Sequence, residues 1–148
     1  MTDWTIRQID GTKQSVLLHY MNSFEPERFQ NLQNRHLSQG LWWIAKEKNT
    51  NIAAGFAGMV PMPPGDELGI WYLKRAYTMP QYRGQGMQIE FLRLREEMAR
   101  RNSLTMLVTE CDGNNIASQK NLERAGFVTF DPEQPWGKPG SVYYRKRL

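Results

Sequence analysis

The chain has 148 residues but only one cysteine, Cys111, and two histidines, His19 and His36. A single thiol excludes an internal disulfide and any Cys-rich metal site, and it suits a reducing compartment. The histidines stand far from each other and from any carboxylate at ligand spacing. No metal is expected, and each histidine reads as a helix-surface residue. Long hydrophobic runs are also missing. The longest uncharged apolar stretch, residues 52–65, is too short to span a bilayer and is broken by Gly55, Gly58, Pro61, Pro63 and Pro64. Met1-Thr2-Asp3-Trp4-Thr5 carries no basic region followed by an apolar run, so no secretory leader is expected there. There is no repeat of fixed period and no low-complexity tract. These absences lead us to expect a cytoplasmic protein with no membrane partner, folded as a single domain over residues 1–148 with a real core. The net charge is +4. Basic residues are spread along the chain except for Arg145-Lys146-Arg147, and no nucleic-acid-binding motif accompanies them. That cluster reads as a solvated strand end, and nucleic acid is not the expected partner. Mild basicity does suit electrostatic steering of a polyanionic ligand.

What is present is a clear succession of patterns. Residues 4–9 alternate apolar and polar and read as a strand, while 14–24 and 26–39 read as helices, Phe29, Leu32 and His36 sharing a face of the second. Gly40 is a stop signal. Residues 41–46 and 52–60 read as a hairpin, and 67–78 as a long third strand of an antiparallel meander. Residues 86–102 read as the main helix, with Met87, Phe91, Leu94 and Met98 on one side and Ile89 and Leu92 widening the stripe. Glu96 with Arg100 and Glu97 with Arg101 fall at i,i+4. The continuous apolar run 104–108 suits a strand buried on both faces and parallel to the one before the helix, giving a right-handed crossover. Residues 127–130 and 142–147 supply final strands around a Pro- and Gly-rich loop, 131–140. The order implies an α/β fold with a mixed sheet.

The most informative stretch is Pro80-Gln81-Tyr82-Arg83-Gly84-Gln85-Gly86-Met87-Gln88, between a strand and the main helix. The first N–H groups of a helix have no partner inside it, and the helix dipole favours negative charge there. Gly84 and Gly86 allow unusual backbone conformations and close approach to a ligand. A phosphate-bearing cofactor is the expected occupant. A dinucleotide fingerprint would need a third glycine where Ile89 stands, and a P-loop would need Gly-Lys-Ser/Thr. Neither is present.

The turn resembles the signature of the GNAT superfamily of acetyl-CoA-dependent N-acetyltransferases, roughly Arg/Gln-x-x-Gly-x-Gly/Ala, often led by Pro-x-Tyr. Gln81-x-x-Gly84-x-Gly86 matches it literally. Arg83-x-x-Gly86-x-Gln88 keeps Pro80 and Tyr82 at the family's places but departs at Gln88, and is the preferred register. A second segment, from Asn115 through Ser118 and Asn121 to Gly126-Phe127, resembles the family's second motif, a helix ending in Gly-Phe. The residues themselves agree, with Asn114 or Asn115 a plausible N-cap and Gly126 suited to a left-handed C′ position.

The resemblance implies a mixed, mostly antiparallel central sheet flanked by helices, with acetyl-CoA as co-substrate and no metal. It implies that the amides of Arg83, Gly84, Gln85, Gly86, Met87 and Gln88 hold the CoA pyrophosphate. Backbone groups of Ala76, Tyr77 and Thr78 would bond the pantetheine, with Asn115 contacting the same arm. The acceptor would be a primary amine of a small molecule or peptide attacking the thioester directly, and a homodimer is left open. Tyr72 stands where the family often has a Glu, and Leu122 where it often has a Tyr acting as general acid. Tyr72, Glu67, Glu110 and Cys111 are the remaining candidate catalytic groups. Rival readings are a non-catalytic acyl-CoA-binding module and a nucleic-acid or protein interaction domain on the same fold. Trp42, Trp43, Trp71, Tyr77, Trp136 and Tyr143 are candidate linings for the acceptor, where aromatic walls would suit an apolar or cationic group.

Overall fold

A computed structural model describes residues 3–25 and 32–148. Its elements run in the order β1 (Trp4–Ile9), α1 (Ser15–Asn22), α2 (Asn34–Gln39), β2 (Leu41–Glu47), β3 (Ala53–Pro61), β4 (Ile70–Thr78), α3 (Met87–Arg101), β5 (Met106–Asp112), α4 (Ile116–Arg124), β6 (Val128–Thr129) and β7 (Ser141–Arg147). Short 3-10 turns occupy Gly65–Leu68 and Pro80–Tyr82. The strands order as β1-β2-β3-β4-β5-β7-β6. The β4–β5 ladder is parallel, while β1–β2, β2–β3, β5–β7 and β6–β7 are antiparallel. This is the mixed, mostly antiparallel α/β fold expected from the sequence.

Two compact units divide the chain, residues 1–60 with 74–91 and residues 61–73 with 92–148. The first holds the β1–β2–β3 meander. Its core is Trp42, stacked on Phe56 at 6.5 Å, with Ile44, Met59, Leu18 and Met21. Full burial of such side chains stabilises by about 1.5–3 kcal/mol each. Trp42 and Trp43 are therefore core residues. Gly55 on β3 packs tightly against Met87 and Tyr77: a Cβ there would stand 2.5 Å from Met87 Sδ and 2.6 Å from Tyr77 O. Only a residue without Cβ lets those groups close up.

The second unit is built on β5 and β7, paired from Met106↔Arg147 to Asp112↔Ser141. Leu107, Val108, Tyr144, Phe127 and Leu122 fill its core. The basic C-terminal cluster is partly committed to this packing. Lys146 Nζ donates to Ala125 O at 2.6 Å, at the end of α4, and pairs with Glu96 at 2.5 Å, while Arg145 lies over the Phe130 ring at 4.8 Å.

Three expectations need correction. Residues 67–69 are not strand: a 3-10 turn ends at Gly69 in the left-handed region (φ 79°), and β4 starts at Ile70. The second helix runs only over Asn34–Gln39 among the described residues, and the expectation for 26–31, including Phe29, lies outside them. The buried stripe of α3 is Met87, Phe91, Leu92, Arg95 and Ala99, whereas Leu94 and Met98 are half-buried and Ile89 is exposed. Spacing of 87, 91, 95 and 99 is also helical, and it carries an arginine into the core face. The i,i+4 pairs are present, Glu97–Arg101 at 2.8 Å and Glu96–Arg100 at 3.6 Å. Among the described residues no helix is long and apolar enough to cross a membrane.

Candidate active site

Both glycines of the turn are exposed. Gly84 and Gly86 both have positive φ, 78° and 82°, and a Cβ on either would meet no atom within 4 Å. Arg83 N donates back to Pro80 O, and Glu90 N donates to Gly86 O. Among the described residues no acceptor takes the N–H groups of Gly84, Gln85, Gly86, Met87 or Gln88. Consecutive free amides at the start of a 15-residue helix form an anion cradle, by partial charge and by hydrogen-bond supply.

The side chains of the turn fold back onto β4. Arg83 Nε donates to Thr78 O at 3.1 Å, and its guanidinium lies 5.7 Å from the Tyr77 ring centroid and 3.9 Å from Glu25. Gln88 Nε2 donates to Thr78 Oγ1 at 2.8 Å. Tyr77 and Thr78 are buried, and Tyr77 stacks on Phe24 at 5.9 Å, while Ala76 is half-buried. Upstream, Arg75 has φ 61° in the middle of the strand, and its Nε donates to Asn22 Oδ1 at 2.7 Å. A non-glycine residue in that region persists only where its surroundings hold it. Sequence reading missed Arg75 and the buried Asn22, because an arginine in a strand and an asparagine in a helix carry no signal of either.

A second cluster centres on Glu110 of β5. Tyr72 Oη donates to its Oε1 at 2.6 Å, and Trp136 Nε1 donates to its Oε2 at 2.5 Å. Trp136 meets Tyr72 edge-on at 6.3 Å and Tyr143 at 4.7 Å, and Tyr143 Oη accepts from Gly137 N at 2.9 Å. The loop 131–140 is thus pinned by one carboxylate and a group of rings. Arg95, buried on α3, lies close enough to Tyr72 for the phenol to oppose the main effect on it, burial, which lowers its pKa. The four catalytic candidates do not converge. Tyr72 and Glu110 touch. Cys111, the next residue along β5, belongs to the opposite face by strand alternation, where with burial and Glu123 it helps push the Tyr144 phenol pKa up. Glu67 is exposed in the 3-10 turn. Trp71 is half-buried on β4.

Helix α4 begins as its sequence suggests. Asn115 Oδ1 accepts from Ser118 N at 3.1 Å, and Asn115 N donates to Asp112 O at 2.9 Å. At the far end Gly126 has φ 91°, with Phe127 N donating to Leu122 O and Gly126 N to Glu123 O, both at 3.0 Å. Leu122 is buried, and Asn121 is half-buried on the same helix. Asn115→Ala should lower unfolding stability by about 0.5–2 kcal/mol, read from the midpoint of urea denaturation. A midpoint unchanged from wild type would mean that the cap contributes nothing.

A sequence model of the acetyltransferase (GNAT) domain matches residues 3–128. The chain belongs to the GNAT acetyltransferase family. No curated protein matches it at a significant level. Among solved structures, a candidate acyl-CoA N-acyltransferase from Klebsiella pneumoniae is 24% identical over 98% of this chain and 97% of its own, with TM-score 0.74. The ribosomal-protein-alanine N-acetyltransferase of Brucella melitensis is 19% identical over 97% and 99%, with TM-score 0.73. The protein yncA of Salmonella typhimurium, solved with its cofactor acetyl-CoA, is 16% identical over 99% and 95%, with TM-score 0.75. At such identities the likeness concerns the fold. In this GNAT chain the Gln88 side chain is bonded to Thr78. Among the described residues no group of three metal-ligating side chains gathers. His36 is half-buried rather than fully on the surface, and its Nδ1 accepts from Gln33 N at 3.3 Å. Burial, aided by Lys74 and Arg35, lowers its pKa to about 4.

Proposed function

We propose that this protein is an acetyl-CoA-dependent N-acetyltransferase, acting on a primary amine of a small molecule or peptide in the cytoplasm, with residues 1–148 as one acetyltransferase domain. The observation that carries the reading is the row of free amides from Gly84 to Gln88 in a chain of the GNAT family. It fits a pyrophosphate. The donors are neutral N–H groups, so they hold a dianionic group by direct hydrogen bonds. Bonds to a charged acceptor contribute about 1.5–3 kcal/mol each. Gly84 and Gly86 leave the approach free of side chains, and Arg83 and Gln88 brace the turn against Thr78. Ala76, Tyr77 and Thr78 are the backbone we assign to the pantetheine, with Asn115, Ser118 and Asn121 at the start and on the face of α4.

Acetyl-CoA supplies an activated acyl thioester. The protein's share is to bind and orient it, to exclude water, and to place the acceptor amine in its free-base form. Holding two reactants in line can supply about 7–11 kcal/mol of the barrier. Tyr72 and Glu110 are the groups we assign nearest the acceptor, Tyr72 with its proton held toward Glu110. Leu122 has no proton to give.

Calorimetry with acetyl-CoA, followed by thiol release across a panel of amines, tests the reading. Binding with turnover on at least one amine is the expected result. Binding without any turnover would favour an acyl-CoA-binding module, and absence of binding would end the proposal. Asn115→Ala should also weaken CoA binding. Lost stability with unchanged affinity would leave that residue a cap alone.

A further inference from the structure

The amide row is presented by something outside the turn. Trp4 on β1 and Glu47 on β2 are cross-strand partners in the β1–β2 ladder. Each reaches the turn. Trp4 Nε1 donates to Gln85 Oε1 at 3.1 Å, and Tyr82 Oη donates to Glu47 Oε2. The two anchor points, Tyr82 and Gln85, flank Arg83 and Gly84. Trp4 and Tyr82 are both buried, at 7% and 8% exposure, while Gln85 and Glu47 are half-buried, so these contacts are partly shielded from competing water. The hydrogen bond to Glu47 is the largest cause of a raised Tyr82 phenol pKa, so the hydroxyl stays a donor at neutral pH. A turn with two positive-φ glycines has much backbone freedom to lose. Something must remove that freedom before binding if affinity is not to fall.

We infer that the cross-strand pair Trp4 and Glu47 is a positioning clamp that pre-organises the anion-binding turn by fixing its two flanks. The inference rests on the acetyl-CoA reading for its functional consequence but not for its physical content. Trp4 and Glu47 touch no ligand in it. They act through Gln85 and Tyr82, and their effect is to hold the amides of residues 84–88 in one orientation. A pre-organised site avoids the ordering cost at the moment of binding.

The test uses the full chain as Trp4→Phe, Glu47→Ala and Glu47→Gln. Phe keeps the ring and removes the indole donor. Gln keeps an acceptor for Tyr82 and serves as the rescue. Two readouts are taken. In ligand-free protein, NMR order parameters of the Gly84, Gln85 and Gly86 amides should fall from about 0.85 toward about 0.6 in Trp4→Phe and Glu47→Ala, and stay high in Glu47→Gln. With acetyl-CoA, the dissociation constant should rise about three- to tenfold in each of the first two, the share of a single hydrogen bond. Unchanged order parameters in both variants would overturn the clamp, as would loosened turns with unaltered affinity. Loosened turns in a protein whose wild type binds no acetyl-CoA would overturn the proposed function and leave the clamp standing. Should one variant fail to fold, the other alone decides by the same two readouts.

Discussion

Gly86→Val should abolish measurable acetyl-CoA binding in calorimetry while circular dichroism still reports a folded protein. Two observations set this expectation apart from ordinary destabilisation. The space at Gly86 is open, since a Cβ would meet no atom within 4 Å, so valine brings no clash into the core. The conformation is closed to it, since φ is 82° and a β-branched side chain is an outlier there. The turn must therefore change its backbone to accept valine, and the amides it presents change direction together. Losing two bonds to a charged group at about 1.5–3 kcal/mol each lowers affinity by about 10²–10⁴-fold. Gly86→Ala should fall between, since alanine tolerates positive φ better than valine. Affinity equal to wild type in the valine variant would remove the basis of the pyrophosphate assignment.

Much of this turn was legible before any coordinates, and the reason is local. Glycine at a left-handed position, proline before a helix and an asparagine cap follow from backbone sterics and hydrogen-bond supply, which act within a few residues. Gly84, Gly86, Asn115 and Gly126 all stand in the conformations their types suggest. What failed needed partners distant in sequence. Residues 67–69 alternate well enough for a strand, but a left-handed Gly69 and the bond from Thr105 N to Gly69 O turn the chain there. Arg95 was passed over because an arginine on a helix is normally solvated, and only packing shows it buried. The contact of Tyr72 with Glu110 spans 38 residues, and that of Trp4 with Gln85 spans 81. No periodicity encodes either. The turn was therefore readable, whereas the clamp behind it and the carboxylate cluster were not.

The cluster sets the last expectation, which concerns mechanism. Both oxygens of Glu110 already accept hydrogen bonds, one from Tyr72 and one from Trp136. A carboxylate so engaged serves better to orient groups than to take a proton, and Tyr72 spends its own proton on Glu110. We expect Tyr72→Phe and Glu110→Gln each to lower kcat by less than about 10²-fold, the low end of general acid–base effects. The double variant should cost little more than the worse single, because residues in direct contact do not add. Glu67→Gln should leave kcat where it was, since Glu67 is exposed in its 3-10 turn. The rate of wild type should rise with pH toward the acceptor's own pKa, and both variants should keep that profile, because the amine yields its proton to water rather than to a side chain. Measuring kcat from about pH 6 to 10 with the best amine of the panel decides it, a range chosen to bracket phenol and amine titration. A fall of about 10³-fold in either single variant, or loss of the rising limb, would make that residue a dedicated acid or base and end the positioning account.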